Sequence, residues 1–196
     1  MTDLITLTRR QIAPDRIDSL ATLVGTDNAT AAQLFAGAVS LLIGSRGLSA
    51  AGVEGLLAAP RAAPDLELEP ALALLAGLSG SKVELMARAL AGASGSTISA
   101  ATRTLAIATP LLGNAIVAAL AQADQRPTRG AALQLLAANQ SAAVDAMRPA
   151  LRRGIGRLPG LAGLYTIAQA DGRRDYSWAA LAGLALLLIV ILLLRG

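Results

Sequence analysis

Nineteen consecutive residues near the C-terminus, Tyr176 to Leu194, carry no charge and include eight Leu, two Ile and one Val. As an α-helix they span about 28 Å, close to the ~30 Å hydrocarbon core of a bilayer. The aliphatic residues, at about −0.3 to −0.6 kcal/mol each, favour insertion by roughly 3 to 6 kcal/mol. Tyr176 and Trp178 fall at one end, where amphipathic rings sit at headgroup level, and Arg195 can snorkel at the other. No face of the segment is polar, so a membrane span explains it better than a core helix. Small residues at Ala179 and Gly183 would let two such helices approach closely.

Flanking charge gives the expected orientation. Arg157, Arg173 and Arg174 precede the span and only Arg195 follows it, which places the N-terminal region in the cytoplasm and the C-terminus on the far side. The first ten residues lack a basic stretch leading into a long apolar one, so no signal peptide is expected. The reading is a single-pass tail anchor in a bacterial inner membrane, with Arg157, Arg173 and Arg174 at the lipid headgroups.

What lies in front of the anchor is built from few residue types. The chain has 44 Ala and 37 Leu, and only Phe35, Tyr165, Tyr176 and Trp178 are aromatic. Ala and Leu are strong helix formers, whereas strands favour the β-branched and aromatic residues. The expected fold is all-α, a compact multihelical bundle followed by a C-terminal transmembrane helix.

Breakers and caps divide residues 1–157, read as a cytoplasmic helical domain. Ile17, Leu20 and Leu23 share a helix face closed by Gly25, and Thr26 or Asp27 can cap the next helix, which runs to Gly44. A short piece follows from Ser49 to the residue before Pro60, and 60–70 reads as an acidic, proline-rich loop. Ser81-Lys-Val-Glu84 reads as a capping box starting a helix that ends near Ala91. Thr97 to Ala123 reads as one long helix kinked at Pro110. Two shorter helices, 128–139 and 141–153, complete the domain, with Pro149 disturbing the second or starting a new turn. Segments 15–59 and 81–140 share the order Gly-x-cap, helix, Gly, Leu-Leu-Ala-Ala, which suggests two related units. Residues 158–175 form a basic juxtamembrane segment whose Leu158, Leu161, Leu164, Tyr165 and Ala168 share one face. That face can dock on the bundle or lie in the headgroup region.

The Gly-Ser-Thr at 95–97, the Pro110-Leu-Leu-Gly113 stretch, and Gly130 followed by Leu133, Leu135, Leu136 and Gln140 together resemble the YidB-like bacterial helical proteins, a family of unknown function. The resemblance implies a compact multihelical fold and supplies no catalytic residues.

Chemistry has little to work with. The chain has no His and no Cys, which removes the commonest general base, thiol chemistry and nearly every zinc site. No phosphate-loop, nucleotide-fold or nucleophile-elbow pattern occurs, and Lys82 is the single lysine. No catalytic, cofactor or metal residue is therefore expected. Charge is uneven: residues 1–70 hold five basic and eight acidic side chains (net −3), and residues 71–196 hold twelve and five (net +7). Without stacking aromatics, and next to an anchor, the arginines suit anionic lipid better than nucleic acid.

One segment leaves a sharper alternative. Residues 104–123 are uncharged and long enough to cross a bilayer, with Leu105, Pro110, Leu112, Ile116 and Leu120 along a central helix. Such a helix is usually the buried centre of a bundle. The leading expectation is a non-enzymatic protein that self-assembles or recruits a protein partner at the membrane. The alternative is a membrane-active protein that inserts 104–123, with a layout like the pore-forming proteins of the Bcl-2 type.

Overall fold

The computed structural model describes residues 3–12, 14–46, 48–59, 67–158 and 161. Among them the secondary structure is helical, without strands: α1 (Leu4–Arg10), α2 (Pro14–Val24), α3 (Asn28–Gly44), α4 (Ala50–Ala58), α5 (Leu68–Ser79), α6 (Val83–Ser94), α7 (Ile98–Gln122), α8 (Arg129–Asp145) and α9 (Pro149–Gly156). A 3-10 turn, Gly80–Lys82, joins α5 to α6. All these elements lie in one compact unit, Met1–Tyr165. The anchor expected at 176–194 lies outside the described residues.

Two long helices make the centre. From Ala38 to Gly44 every residue of α3 is buried, and so is every residue of α7 from Thr104 to Thr109. The two pack on each other, and α7 also packs on α1, α2, α4, α5, α6 and α8. The hydroxyls of Thr104 and Thr109 would be orphans in this interior. Each donates to the carbonyl one turn back, Ala100 or Leu105, at 2.8 Å.

The joints leading into α3 and α7 are built alike. Gly25 and Gly95 take left-handed φ values of +72° and +68°, a region a side chain rarely enters. The next amide then reaches back across the turn: Thr26 N–H to Ala21 at 3.0 Å, Ser96 N–H to Ala91 at 3.1 Å, as in a Schellman motif. One residue later the cap accepts, Asp27 from the Thr30 amide at 2.9 Å and Thr97 from the Ala100 amide at 3.1 Å. The Asp27 carboxylate also accepts the Thr30 hydroxyl at 2.7 Å, and Asp3 makes the same pair with Thr6 at the start of α1. These hydroxyl bonds are the main cause holding both carboxyls below the ordinary carboxylate range.

Helix α7 ends differently. Its left-handed residue is Asp124, at φ +52°, and the Gln125 amide closes on the Leu120 carbonyl at 2.8 Å. Aspartate tolerates this region at a cost that glycine avoids. Asp124→Gly is therefore expected to raise stability by about 0.5–1 kcal/mol, a melting temperature roughly 1–4 °C higher. Thermal unfolding followed by circular dichroism checks it, and Asp124→Ala should shift the other way.

The structure departs from the sequence expectations at four places. Helix α1 has no counterpart among them. Helix α5 begins at Leu68, inside the stretch expected to be an acidic loop, with Glu67 at its N-cap position and Glu69 in its first turn. Negative charge there complements the helix dipole. Ser81 caps nothing: Gly80, at φ +55°, turns the chain into a 3-10 segment containing Ser81, and α6 starts at Val83 without a side-chain cap. Finally, α8 runs unbroken through Asn139–Ser141, and the break comes at Ala146–Arg148, where Pro149 takes the first position of α9. A proline there forfeits no helical hydrogen bond.

Candidate membrane interface

The central-helix residues separate by face. Leu105, Leu112 and Ile116 are fully buried and Leu120 nearly so, whereas Pro110 is half-buried. The helix passes Pro110 without interruption. By length and composition alone α7 could cross a membrane, yet 72% of its most apolar window is buried inside the bundle. What stays outward is a narrow strip at helical spacing: Pro110, Asn114, Val117, Ala118 and Ala121. The last four line an open depression of about 310 Å³ that holds no acid, base or nucleophile.

Asn139 is a buried polar group that serves structure. Asn139 is 3% exposed; its amide donates to the Leu135 carbonyl at 2.9 Å and its oxygen accepts the Leu4 amide at 3.2 Å. That bond ties the first turn of α1 to α8 across 135 residues of sequence. Among the described residues no Asp, Glu, Lys or Arg is buried, and no group of three potential metal ligands occurs. The exposed pairs Arg88–Glu84 and Arg129–Glu54 stand at 2.5 and 3.7 Å and contribute little to stability in water.

The arginines collect around α9. This helix buries Leu151 and Ile155 and packs on α6. Arg148, Arg152, Arg153 and Arg157 are exposed. Arg148 donates to Gln33 of α3 at 2.5 Å, and Arg152 donates to the Met147 carbonyl at the end of α8 at 3.1 Å. Arg153 and Arg157 make no side-chain hydrogen bond to a described residue.

Beyond α9, Leu158 is half-buried, and Leu161 is fully buried in the common core. These are the first two positions of the apolar face expected for 158–175. The residues expected to form the anchor, Tyr176, Trp178, Ala179, Gly183 and Arg195, lie outside the described residues, as do Arg173 and Arg174. No family model, curated protein or solved structure matches the chain.

Proposed function

We propose that the chain is a non-enzymatic protein of a bacterial inner membrane. A helical domain is held at the bilayer by 176–194 and self-assembles there or recruits a protein partner. One observation carries the reading. The one described helix both long and apolar enough to cross a bilayer, α7, already has most of its apolar window buried in the bundle core, which leaves Tyr176–Leu194 as the apolar stretch for lipid. The arginine excess before that stretch supports a cytoplasmic domain. The resemblance to the YidB-like family belongs to the same reading. Its Gly-Ser-Thr lies at the start of α7, its Pro-Leu-Leu-Gly in mid-helix, and its Gly-Leu pattern on α8.

The competing reading, insertion of α7 into the bilayer, draws on its length of 25 residues and on its uncharged outward strip, apolar except for Asn114. Insertion would have to strip α7 from seven packing partners. Two measurements separate the readings. Deleting 176–196 is expected to move the protein from carbonate-washed membranes to the soluble fraction, and overexpression of the full chain is expected to leave dye-loaded cells intact. Retention of the truncated protein in the membrane, together with leakage that depends on 104–123, would reverse the choice.

A further inference from the structure

The fold brings the two ends of the described chain to one surface. Arg9, near the end of α1, donates to the Ala36 carbonyl at 3.4 Å, and Arg148, at the start of α9, donates to the Gln33 side chain at 2.5 Å. Gln33 and Ala36 are three residues apart on α3, hence neighbours on one helix face. Two arginines 139 positions apart in sequence thus share a single ridge. Arg10 adjoins Arg9, and Arg152, Arg153 and Arg157 continue the charge along α9. Residues 3–10 and 145–157 together hold six arginines and two acids, Asp3 and Asp145. Neither acid forms an ion pair with them among the described residues. Asp3 is occupied by the Thr6 hydroxyl and the Ile5 and Thr6 amides.

We infer that this α1–α9 arginine face is a lipid-binding surface on which the domain lies against the anionic headgroups of the leaflet that anchors it. The inference rests on the proposed anchor. From Ala162 to Asp175 the chain has 14 residues, which reach about 50 Å at full extension. An anchor at 176–194 therefore tethers the domain within about 50 Å of the bilayer, so that each arginine reaching an anionic surface contributes about fivefold to partitioning onto it. The face carries guanidinium groups that pair with phosphate oxygens, and no aromatic side chain for stacking on bases. That chemistry favours phospholipid over nucleic acid.

The test uses the full chain in vesicles. Because the chain has no cysteine, Ala146→Cys, at an exposed position beside the face, gives a single site for a dye. Energy transfer from it to a headgroup acceptor reads the docked-to-undocked ratio. The ratio is expected to be high in phosphatidylcholine vesicles containing about one-third phosphatidylglycerol, and low without it or in ~1 M salt, where the Debye length is about 3 Å. Arg9→Gln/Arg153→Gln, removing one charge from each helix, should lower it about 25-fold while lowering the melting temperature by no more than about 4 °C, the worth of the Arg9–Ala36 hydrogen bond. Arg129→Gln, at the opposite end of α8 and about 25 Å away, should leave it unchanged. Transfer that ignores lipid charge, or that survives the double substitution, overturns the inference. So does duplex DNA captured in pure phosphatidylcholine vesicles and lost in the same variant, which would give the face to nucleic acid. Carbonate extraction scores the anchor separately. If the anchor fails, co-sedimentation of the unanchored chain with the same two vesicle types reads the face by the same criteria.

Discussion

Leu112→Asp is expected to unfold the bundle. Leu112 has no exposed surface and sits in α7 between Leu111 and Gly113, both also buried. Removing the leucine side chain from such a site costs about 2–5 kcal/mol. Burying an unpaired carboxylate adds several more, and no described Arg or Lys is buried to meet it. That sum, about 5–10 kcal/mol, is comparable to the whole stability of an ordinary domain, about 5–15 kcal/mol. The control lies on the same helix. Ala118 is exposed on the outward strip, so Ala118→Asp should cost no more than about 1 kcal/mol, mostly as lost helix propensity. Circular dichroism of the full chain in mild detergent should show a cooperative melt for Ala118→Asp and none for Leu112→Asp. Equal melts would mean that Leu112 is exposed in solution and would favour the insertion reading.

Which parts of this architecture can be read from sequence follows from how local their causes are. Helix α7 is legible because its signals lie within or beside its own span: an uncharged run, Thr97 as cap, and Gly95 before it. Helix α1 is not. It has seven residues, too few to be stable alone, and it is held by Asn139 from α8 and by packing on α3 and α7. Asn139 itself reads locally as a helix weakener, yet burial and two hydrogen bonds make it a tie between helices. Glu67 and Glu69 read as loop acids beside prolines, although carboxylates before an Ala-Leu run are equally a helix start. The Ser81 box meets every local requirement and still fails, because Gly80 sets a backbone turn that no motif four residues long can report. Only part of the arginine surface is legible. Arg157 stands out by its place before the apolar stretch 176–194, whereas Arg9 joins it only through α3. An amphipathic reading of 149–157, with Leu151 and Ile155 opposed to arginines, would find the α9 half.

Gly52→Ala should be the most damaging of the single-methyl additions. In most helices this change helps, since alanine is favoured over glycine by about 0.8–1 kcal/mol. Here α4 crosses α5 so closely that a Cβ on Gly52 would lie 2.5 Å from the Gly77 carbonyl oxygen and 2.7 Å from the Leu78 nitrogen. Both are backbone atoms, and no rotamer change can move them aside. The helices are also stitched at this point: the Ser49 amide donates to the Leu78 carbonyl at 2.9 Å, and its hydroxyl donates to the Gly77 carbonyl at 2.7 Å. Relieving the overlap means separating α4 from α5, which sacrifices those bonds at about 1 kcal/mol each and opens the packing around Val53 and Leu78. Overpacking adds about 1–3 kcal/mol, so the net loss after the propensity gain is about 3 kcal/mol, or roughly 6–12 °C in melting temperature. Gly55, three residues along the same helix, has open space where an added methyl would lie, with nothing within 4 Å. Gly55→Ala should therefore raise the melting temperature by about 2–4 °C. Opposite signs for two identical substitutions one turn apart would locate the α4–α5 contact at Gly52. A rise for both would show that the two helices do not meet this closely in solution.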